Sequence, residues 1–168
     1  MRNIFLLFIL TSFCALTTQA QEDQNIKLNP LPLIIGSINM SYEQAINDGF
    51  AIQVNPGYWT GFEIDNDDFT GFQLGVEGRF YISKDSVAPD GIYAGPYVNY
   101  TNLSLDDEDV TLFAVGGEFG HQWIYDSGFV LDLNIGGGVT SVNSDDNEVE
   151  DDVATFLPKF TFAIGYNF

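Results

Sequence analysis

The sequence predicts an all-β fold, an eight-stranded antiparallel up-and-down transmembrane β-barrel, and three observations carry that expectation. Segments of about ten to thirteen residues alternate with period two between bulky apolar residues and small or polar ones. Clusters of Gly, Asn, Asp and Pro separate them. The charged residues inside these segments all fall on one side of the alternation.

The N-terminus stands apart from this pattern. Arg2, the apolar run from Ile4 to Leu16, and Thr18-Gln19-Ala20 have the three-part form of a cleavable signal peptide. Residues 1–20 are therefore expected to be removed after export, leaving residues 21–168 as one outer-membrane β-barrel domain. Cys14, the only cysteine, falls in the excised part, and the bulky Phe13 before it argues against a lipidated cysteine. The mature chain would then carry no disulfide and no thiolate.

Along the mature chain the strands read as follows. The first is the short stretch Asn25 to Leu31, with Ile26 and Leu28 opposing Lys27 and Asn29; it is assigned because a closed bacterial barrel needs an even strand number. In the second, Ile38, Met40 and Tyr42 oppose Asn39, Ser41 and Glu43, and Asn47-Asp48-Gly49 supplies a tight hairpin turn. The third sets Phe50, Ile52, Val54, Pro56 and Tyr58 against Ala51, Gln53, Asn55, Gly57 and Trp59. The fourth, Thr70 to Ile82, sets Phe72, Leu74, Val76 and Phe80 against Gln73, Gly75, Glu77, Arg79 and Tyr81.

The fifth opposes Ile92, Ala94, Pro96, Val98 and Tyr100 to Tyr93, Gly95, Tyr97, Asn99 and Thr101. The sixth opposes Phe113, Val115, Phe119, His121 and Trp123 to Ala114, Gly116, Glu118, Gly120 and Gln122. Asp126-Ser127-Gly128 then reverses the chain into the seventh, where Leu131, Leu133, Ile135 and Val139 oppose Val130, Asp132, Asn134 and Thr140. The last sets Phe160, Phe162, Ile164, Tyr166 and Phe168 against Lys159, Thr161, Ala163, Gly165 and Asn167.

Volume decides which face points inward. The bore of an eight-stranded barrel is just wide enough to be filled by side chains, and the Phe, Tyr, Ile and Leu set cannot all fit there. The Gly, Ala, Ser and Asn set can. Charge agrees, because an Arg or Lys facing mid-membrane lipid costs about 2–4 kcal/mol. Lys27, Glu43, Glu77, Arg79, Glu118, Asp132 and Lys159 are accordingly expected to form a luminal ion-pair network. Aromatic residues near the strand ends read as two interfacial girdles, one including Tyr42, Phe50, Phe80, Tyr81, Tyr93 and Trp123, the other including Tyr58, Trp59, Phe72, Tyr100 and Phe113. Connections 46–49, 83–91 and 126–128 read as the short periplasmic ones, and 60–69, 102–110 and 141–153 as the longer surface loops.

The stretches Ile26-Lys27-Leu28-Asn29-Pro30-Leu31, Ile38-Asn39-Met40-Ser41-Tyr42-Glu43, Gly117-Glu118-Phe119-Gly120-His121-Gln122-Trp123 and the terminal Ile164-Gly165-Tyr166-Asn167-Phe168 resemble the small outer-membrane barrel proteins of Bacteroidota, many of which carry only a domain-of-unknown-function label. These are similar in architecture to the OmpA transmembrane domain and to OmpX. The resemblance implies an outer-membrane location, contact with outer-membrane lipid and lipopolysaccharide, and recognition of Phe168 as an assembly signal by the barrel-assembly machinery. It implies no reaction, and unlike OmpA this sequence shows no peptidoglycan-binding domain after the barrel.

Twenty-four acids against five bases exclude nucleic acid as a partner, since nothing here would neutralise a row of phosphates. Fourteen of the acids fall in the three longer loops: Glu63, Asp65, Asp67 and Asp68; Asp106 to Asp109; and Asp145, Asp146, Glu148, Glu150, Asp151 and Asp152. The last six invite weak divalent-cation binding. They lack the central Gly and twelfth-position Glu of a calcium loop, so a solvated charged rim is the simpler expectation.

His121, the sole histidine, has neither a Ser partner in the bore nor a second His, and reads as an interfacial neighbour of Trp123. Gly136-Gly137-Gly138 is followed by no helix and so is no phosphate loop. No cofactor is expected. The expected function is that of a non-enzymatic outer-membrane barrel with a filled polar lumen and acidic surface loops, serving envelope integrity or surface binding. A narrow cation-preferring channel is the alternative, and a lipid-modifying barrel, which would need a nucleophile and base not evident here, ranks third.

Overall fold

A computed structural model describes residues 24–64, 67–83, 87–105, 108–144 and 154–168. The expected signal peptide lies outside them, as do the side chains of all the acidic loop residues except Asp109. Eight strands run in chain order: β1 (Gln24–Asn29), β2 (Ser37–Asn47), β3 (Phe50–Ile64), β4 (Asp67–Tyr81), β5 (Gly91–Leu105), β6 (Glu108–Ile124), β7 (Phe129–Ser144) and β8 (Thr155–Asn167). Each pairs antiparallel with the next, and β8 closes on β1 to complete the barrel. The fold is the expected all-β, eight-stranded, up-and-down barrel.

The register defines the barrel's dimensions. Following paired residues around the wall from Asn25 through Glu43, Gln53, Glu77, Tyr97, Gly116 and Gly138 returns to β8 at Leu157. Asn25 itself faces Asn167 on β8, ten residues further along, so the shear is ten. With a rise of ~3.3 Å per residue and strands ~4.8 Å apart, the strands tilt by about 40°. Strand number and shear together set a narrow bore.

Alternation sorts the side chains as volume demands. Phe72, Leu74, Val76, Val98, Val115, Phe119, Ile135 and Phe160 are exposed on the outer surface. Arg79, Lys27, Glu43, Gln53, Tyr93, Gln122, Asp132 and Asn134 are fully buried inside. Where polar side chains are long, the facing residues are small. Gly116 on β6 and Gly138 on β7 lie opposite each other beside the Tyr97 ring.

Three expectations are corrected. The first strand ends at Asn29, not Leu31, because Pro30 and Pro32 lead into a 3-10 turn, Pro32–Ile35, that closes on Gly36 with φ 71°. The surface connections at 60–69 and 102–110 are much shorter than expected. Backbone pairing continues to Ile64↔Asp67 and Leu105↔Glu108, leaving only 65–66 and 106–107 between strands. Ladder hydrogen bonds come from the backbone, so an acidic sequence does not end a strand where both edges already have partners.

The third correction concerns the girdles. Tyr81, Tyr93 and Trp59 stand near strand ends but on the inward side of the alternation, and Tyr81 and Tyr93 are buried in the bore. Exposed aromatic residues remain at both ends of the outer surface: Tyr58, Phe72, Tyr100, Phe113 and Phe156 at one, and Phe80, Tyr125, Phe129, Tyr166 and Phe168 at the other.

The close β6–β7 approach is testable. A Cβ on Gly116 would lie 2.3 Å from the Gly137 carbonyl oxygen and 2.7 Å from Gly138 Cα, whereas one on Gly117, pointing outward, would meet nothing nearer than 3.8 Å. Gly116→Val should destabilise by at least about 1–3 kcal/mol through overpacking, and Gly117→Ala should be neutral within about 0.5 kcal/mol. Urea unfolding of the refolded barrel, followed by heat-modifiable electrophoretic mobility, reads the difference; equal midpoints for the two variants would contradict the register.

Candidate functional site

Seven charged side chains from six strands meet on the axis of the barrel. Lys27 projects from β1, Glu43 from β2, Glu77 and Arg79 from β4, Glu118 from β6, Asp132 from β7 and Lys159 from β8. Period-two geometry places all of them on the inner face, and the shear of ten brings them to neighbouring heights.

Two sub-clusters share Arg79. In the lower one Lys27 Nζ donates to Glu43 Oε2 at 2.8 Å, to Asp132 Oδ2 at 2.7 Å and to Gln122 Oε1 at 2.5 Å. Arg79 Nη1 donates to the same Asp132 oxygen at 2.7 Å and lies 3.6 Å from Glu43 Oε2. In the upper one Arg79 Nη2 and Nε donate to Glu77 Oε2 at 2.7 and 3.0 Å. Lys159 Nζ then bridges Glu77 Oε1 and Glu118 Oε2, both at 2.6 Å. Arg79 suits the junction because its planar fork serves carboxylates on two sides at once.

Neutral groups complete the set. Tyr81 donates its hydroxyl proton to Glu43 Oε1 at 2.6 Å, and Tyr93 to Asp132 Oδ1 at 2.7 Å. The Arg79 guanidinium stands 4.3 Å from the Tyr93 ring centre, and Lys159 Nζ 4.4 Å from that of Tyr97. Gln53 and Asn55 donate side-chain amide protons to Glu77 at 3.0 and 2.8 Å. None of these partners was singled out from sequence. Tyr81 and Tyr93 carried a usable signal, since their parity places them with Glu77 and Gly95 rather than with the apolar set.

Below the cluster the bore is stoppered by the connection between β4 and β5. Ala88 and Pro89 are buried there, and Ala88 packs with Ala51, Tyr81 and Tyr93. The Ala88 backbone N–H donates to Asp48 O at 2.9 Å, and Gln122 Nε2 donates to Pro89 O. Asp90 Oδ1 accepts from the Ile124 backbone N–H at 3.0 Å. One glutamine thus ties the stopper to Lys27. Above the cluster lies a half-open cavity of about 360 Å³ with a mixed lining, its polar part including Asn39, Gln53, Asn55, Gln73, Asn99 and Lys159.

The remaining candidates sit apart from this cluster. His121 is stacked on Trp123, ring centres 4.1 Å apart, on the outer wall. Phe168 is exposed at the lower rim, where its backbone N–H donates to Gln24 O at 2.9 Å. Asp145, Asp146, Glu148, Glu150, Asp151 and Asp152 lie outside the described residues. Among the described residues, no group of three or more His, Cys, Asp or Glu is arranged to hold a metal ion.

Fold and site together define a class: a small closed β-barrel, apolar outside, whose bore is filled by a buried ion-pair network. The chain belongs to the family described as protein of unknown function DUF3575, whose model matches residues 4–159. No curated protein and no solved structure matches the chain.

The network makes a stability prediction. Removing one member of a buried ion pair strands its partners, at about 3–5 kcal/mol. Arg79→Met, which keeps volume but removes the shared donor, should therefore lower unfolding stability by about that amount. His121→Phe, outside the network, should stay within about 0.5 kcal/mol. Urea denaturation of both variants in the same lipid provides the comparison, and equal stability would show that Arg79 does not hold the carboxylates together.

Proposed function

We propose that the protein is an outer-membrane barrel of the OmpA/OmpX-like kind, from a bacterium such as the Bacteroidota, that spans the membrane by its strands and carries out no reaction itself. Its barrel anchors surface-exposed hairpins and contributes to envelope integrity or to binding at the cell surface. The observation that carries this reading is the inversion of burial: Phe72, Leu74, Val76 and Phe160 are exposed while Arg79, Lys27, Glu43 and Asp132 are buried. Water outside would penalise that arrangement; hydrocarbon outside favours it. Signal-peptide removal within residues 1–20, and engagement of the assembly machinery by Phe168, belong to the same reading.

The same reading carries a direction of insertion. With both ends of the barrel strands in the periplasm, Ser127 between β6 and β7 is periplasmic and Asp109 at the start of β6 faces outward. Maleimide labelling of intact cells should reach Asp109→Cys, and should reach Ser127→Cys only after permeabilisation. The reverse pattern would invert the barrel, and equal labelling of both without membrane association would sink the membrane reading.

A cation-preferring channel is the second reading, favoured by the four carboxylates that share the bore with three cations. The filled cross-section and the stopper at Pro89 weigh against it. Purified protein in planar bilayers should show no steady conductance, and a double Lys27→Ala, Gln122→Ala variant, which loosens plug and stopper together, should admit ions. Steady cation-selective current through the unmodified protein would reverse that preference.

A further inference from the structure

The barrel wall has a notch. β1 pairs with β8 only from Asn25↔Asn167 to Leu28↔Ile164, so among the described residues β8 from Thr155 to Ala163 has no partner strand on its β1 side. On the other flank β3 outruns β2, whose pairing begins at Ser37↔Trp59. Between these flanks the chain crosses low, in the 3-10 turn Pro32–Ile35, and leaves Leu33, Ile34 and Ile35 exposed. An open strand edge does not persist against hydrocarbon, so something must occupy it. Pro158 lies within this edge and removes one amide donor from it.

The cavity above the ion-pair cluster reaches this notch. Its lining runs along residues 157–161 of β8 and includes Asn29 and Pro32 at the end of β1 and in the turn. Inside, amides of Gln53, Gln73 and Asn99 stand in its wall, and the Glu77–Lys159 pair of the cluster forms part of its lining. Gln53 is 2% exposed, and its Oε1 is buried without a hydrogen-bond partner. Above the cup the inward-facing residues turn apolar: Leu157 stands one inward step above Lys159, and Leu103, Leu112 and Trp59 are inward by parity on β5, β6 and β3. The Trp59 indole N–H is also buried without a partner.

We propose that the notch is a lateral port through which the barrel binds an amphiphile with an uncharged, hydroxyl-rich headgroup, the head in the amide cup and the chain leaving between β8 and the Pro32–Ile35 turn. Beside the Glu77–Lys159 pair, whose charges are already matched, the cup offers amide donors and acceptors in a volume suited to a sugar ring or two. An anionic head is disfavoured because the one cation lining the cup, Lys159, is already held by Glu77 and Glu118. A buried amide oxygen without a partner calls for a donor such as a hydroxyl. The exposed Leu33, Ile34 and Ile35 give the chain an apolar path into the surrounding lipid. The port rests on the membrane reading above and adds to it a ligand class.

The test uses the full mature chain refolded into phosphatidylcholine nanodiscs, with Trp123→Phe so that Trp59 is the sole tryptophan. Octyl glucoside below its micellar concentration should give a saturable change in Trp59 fluorescence. Glucose and octyl phosphate should each bind about ten-fold more weakly or worse, the loss of roughly one anchoring interaction. Gln73→Leu, in the cup but outside the ion-pair cluster, should weaken octyl glucoside by a similar factor, and Leu157→Phe, narrowing the port, should weaken octyl glucoside while leaving glucose unchanged. A chain that inserts into nanodiscs yet shows linear, head-independent partitioning overturns the port alone. Dimerisation through β8, seen as cysteine cross-linking between Thr155→Cys copies, makes a second copy the occupant and overturns it too. A chain that remains monodisperse in water without lipid overturns the membrane reading and the port with it.

Discussion

Arg79 is wholly enclosed and holds carboxylates on two sides: Asp132 and Glu43 below, Glu77 and Glu118 above. A cation with no access to water is costly unless nearly every donor is satisfied, and that requirement propagates outward through the structure. The carboxylates come from β2, β4, β6 and β7, so the guanidinium fastens β4 to three strands that are not its neighbours in the wall. Lys27 extends the connection to β1 and Lys159 extends it to β8, the pair of strands whose junction closes the barrel. Among the described residues, closure by β1 and β8 involves four paired residues on each strand, so the interior network supplements the shortest seam described in the sheet.

The same requirement explains the composition of the inner face. Eight strands at a shear of ten leave a bore that side chains can fill. Long charged groups and tyrosines occupy the centre only because glycines stand opposite them. Gly120 faces the Tyr93 ring, with 2.6 Å between its imagined Cβ and that ring; Gly138 stands in the same relation to the Tyr97 hydroxyl, at 2.7 Å. Gly136-Gly137-Gly138 follows the same logic on both faces, its middle residue lying beneath Phe156 on the outside. Residue size on the inner face is thus a negative image of the network.

Most of the barrel could be read from the chain because period two is a strong local signal and because a one-residue slip would exchange the two faces. The seven charged residues were recoverable for that reason: parity assigns each to a face without knowledge of its neighbours. What parity does not encode is height. Tyr81 and Tyr93 lie near strand ends, which drew them into the girdle, yet tilt and shear carry their hydroxyls to Glu43 and Asp132. The acidic tips of β3, β4, β5 and β6 were read as loops because Asp is a poor strand former alone; a ladder already running through a hairpin is not broken by it. The stopper at Ala88 and Pro89 had no signal at all, being a non-local contact made by an aperiodic segment.

Plug, stopper and notch make the two ends of the bore unequal. Below Arg79 the interior is closed by paired charges and by Gln122 reaching Pro89. Above it, amides and then Leu157 line a space that the short β1–β2 hairpin fails to wall off. A uniform barrel of this shear would pair β8 along its whole length, and on the observed register that needs β1 to run on from Asn29 to position 37. Pro30 and Pro32 prevent that extension, since neither offers an amide hydrogen to the β8 edge. Beneath the open part, Lys27 and Lys159 tie β1 and β8 into the ion-pair network, so the seam is linked through the bore where the wall itself pairs least.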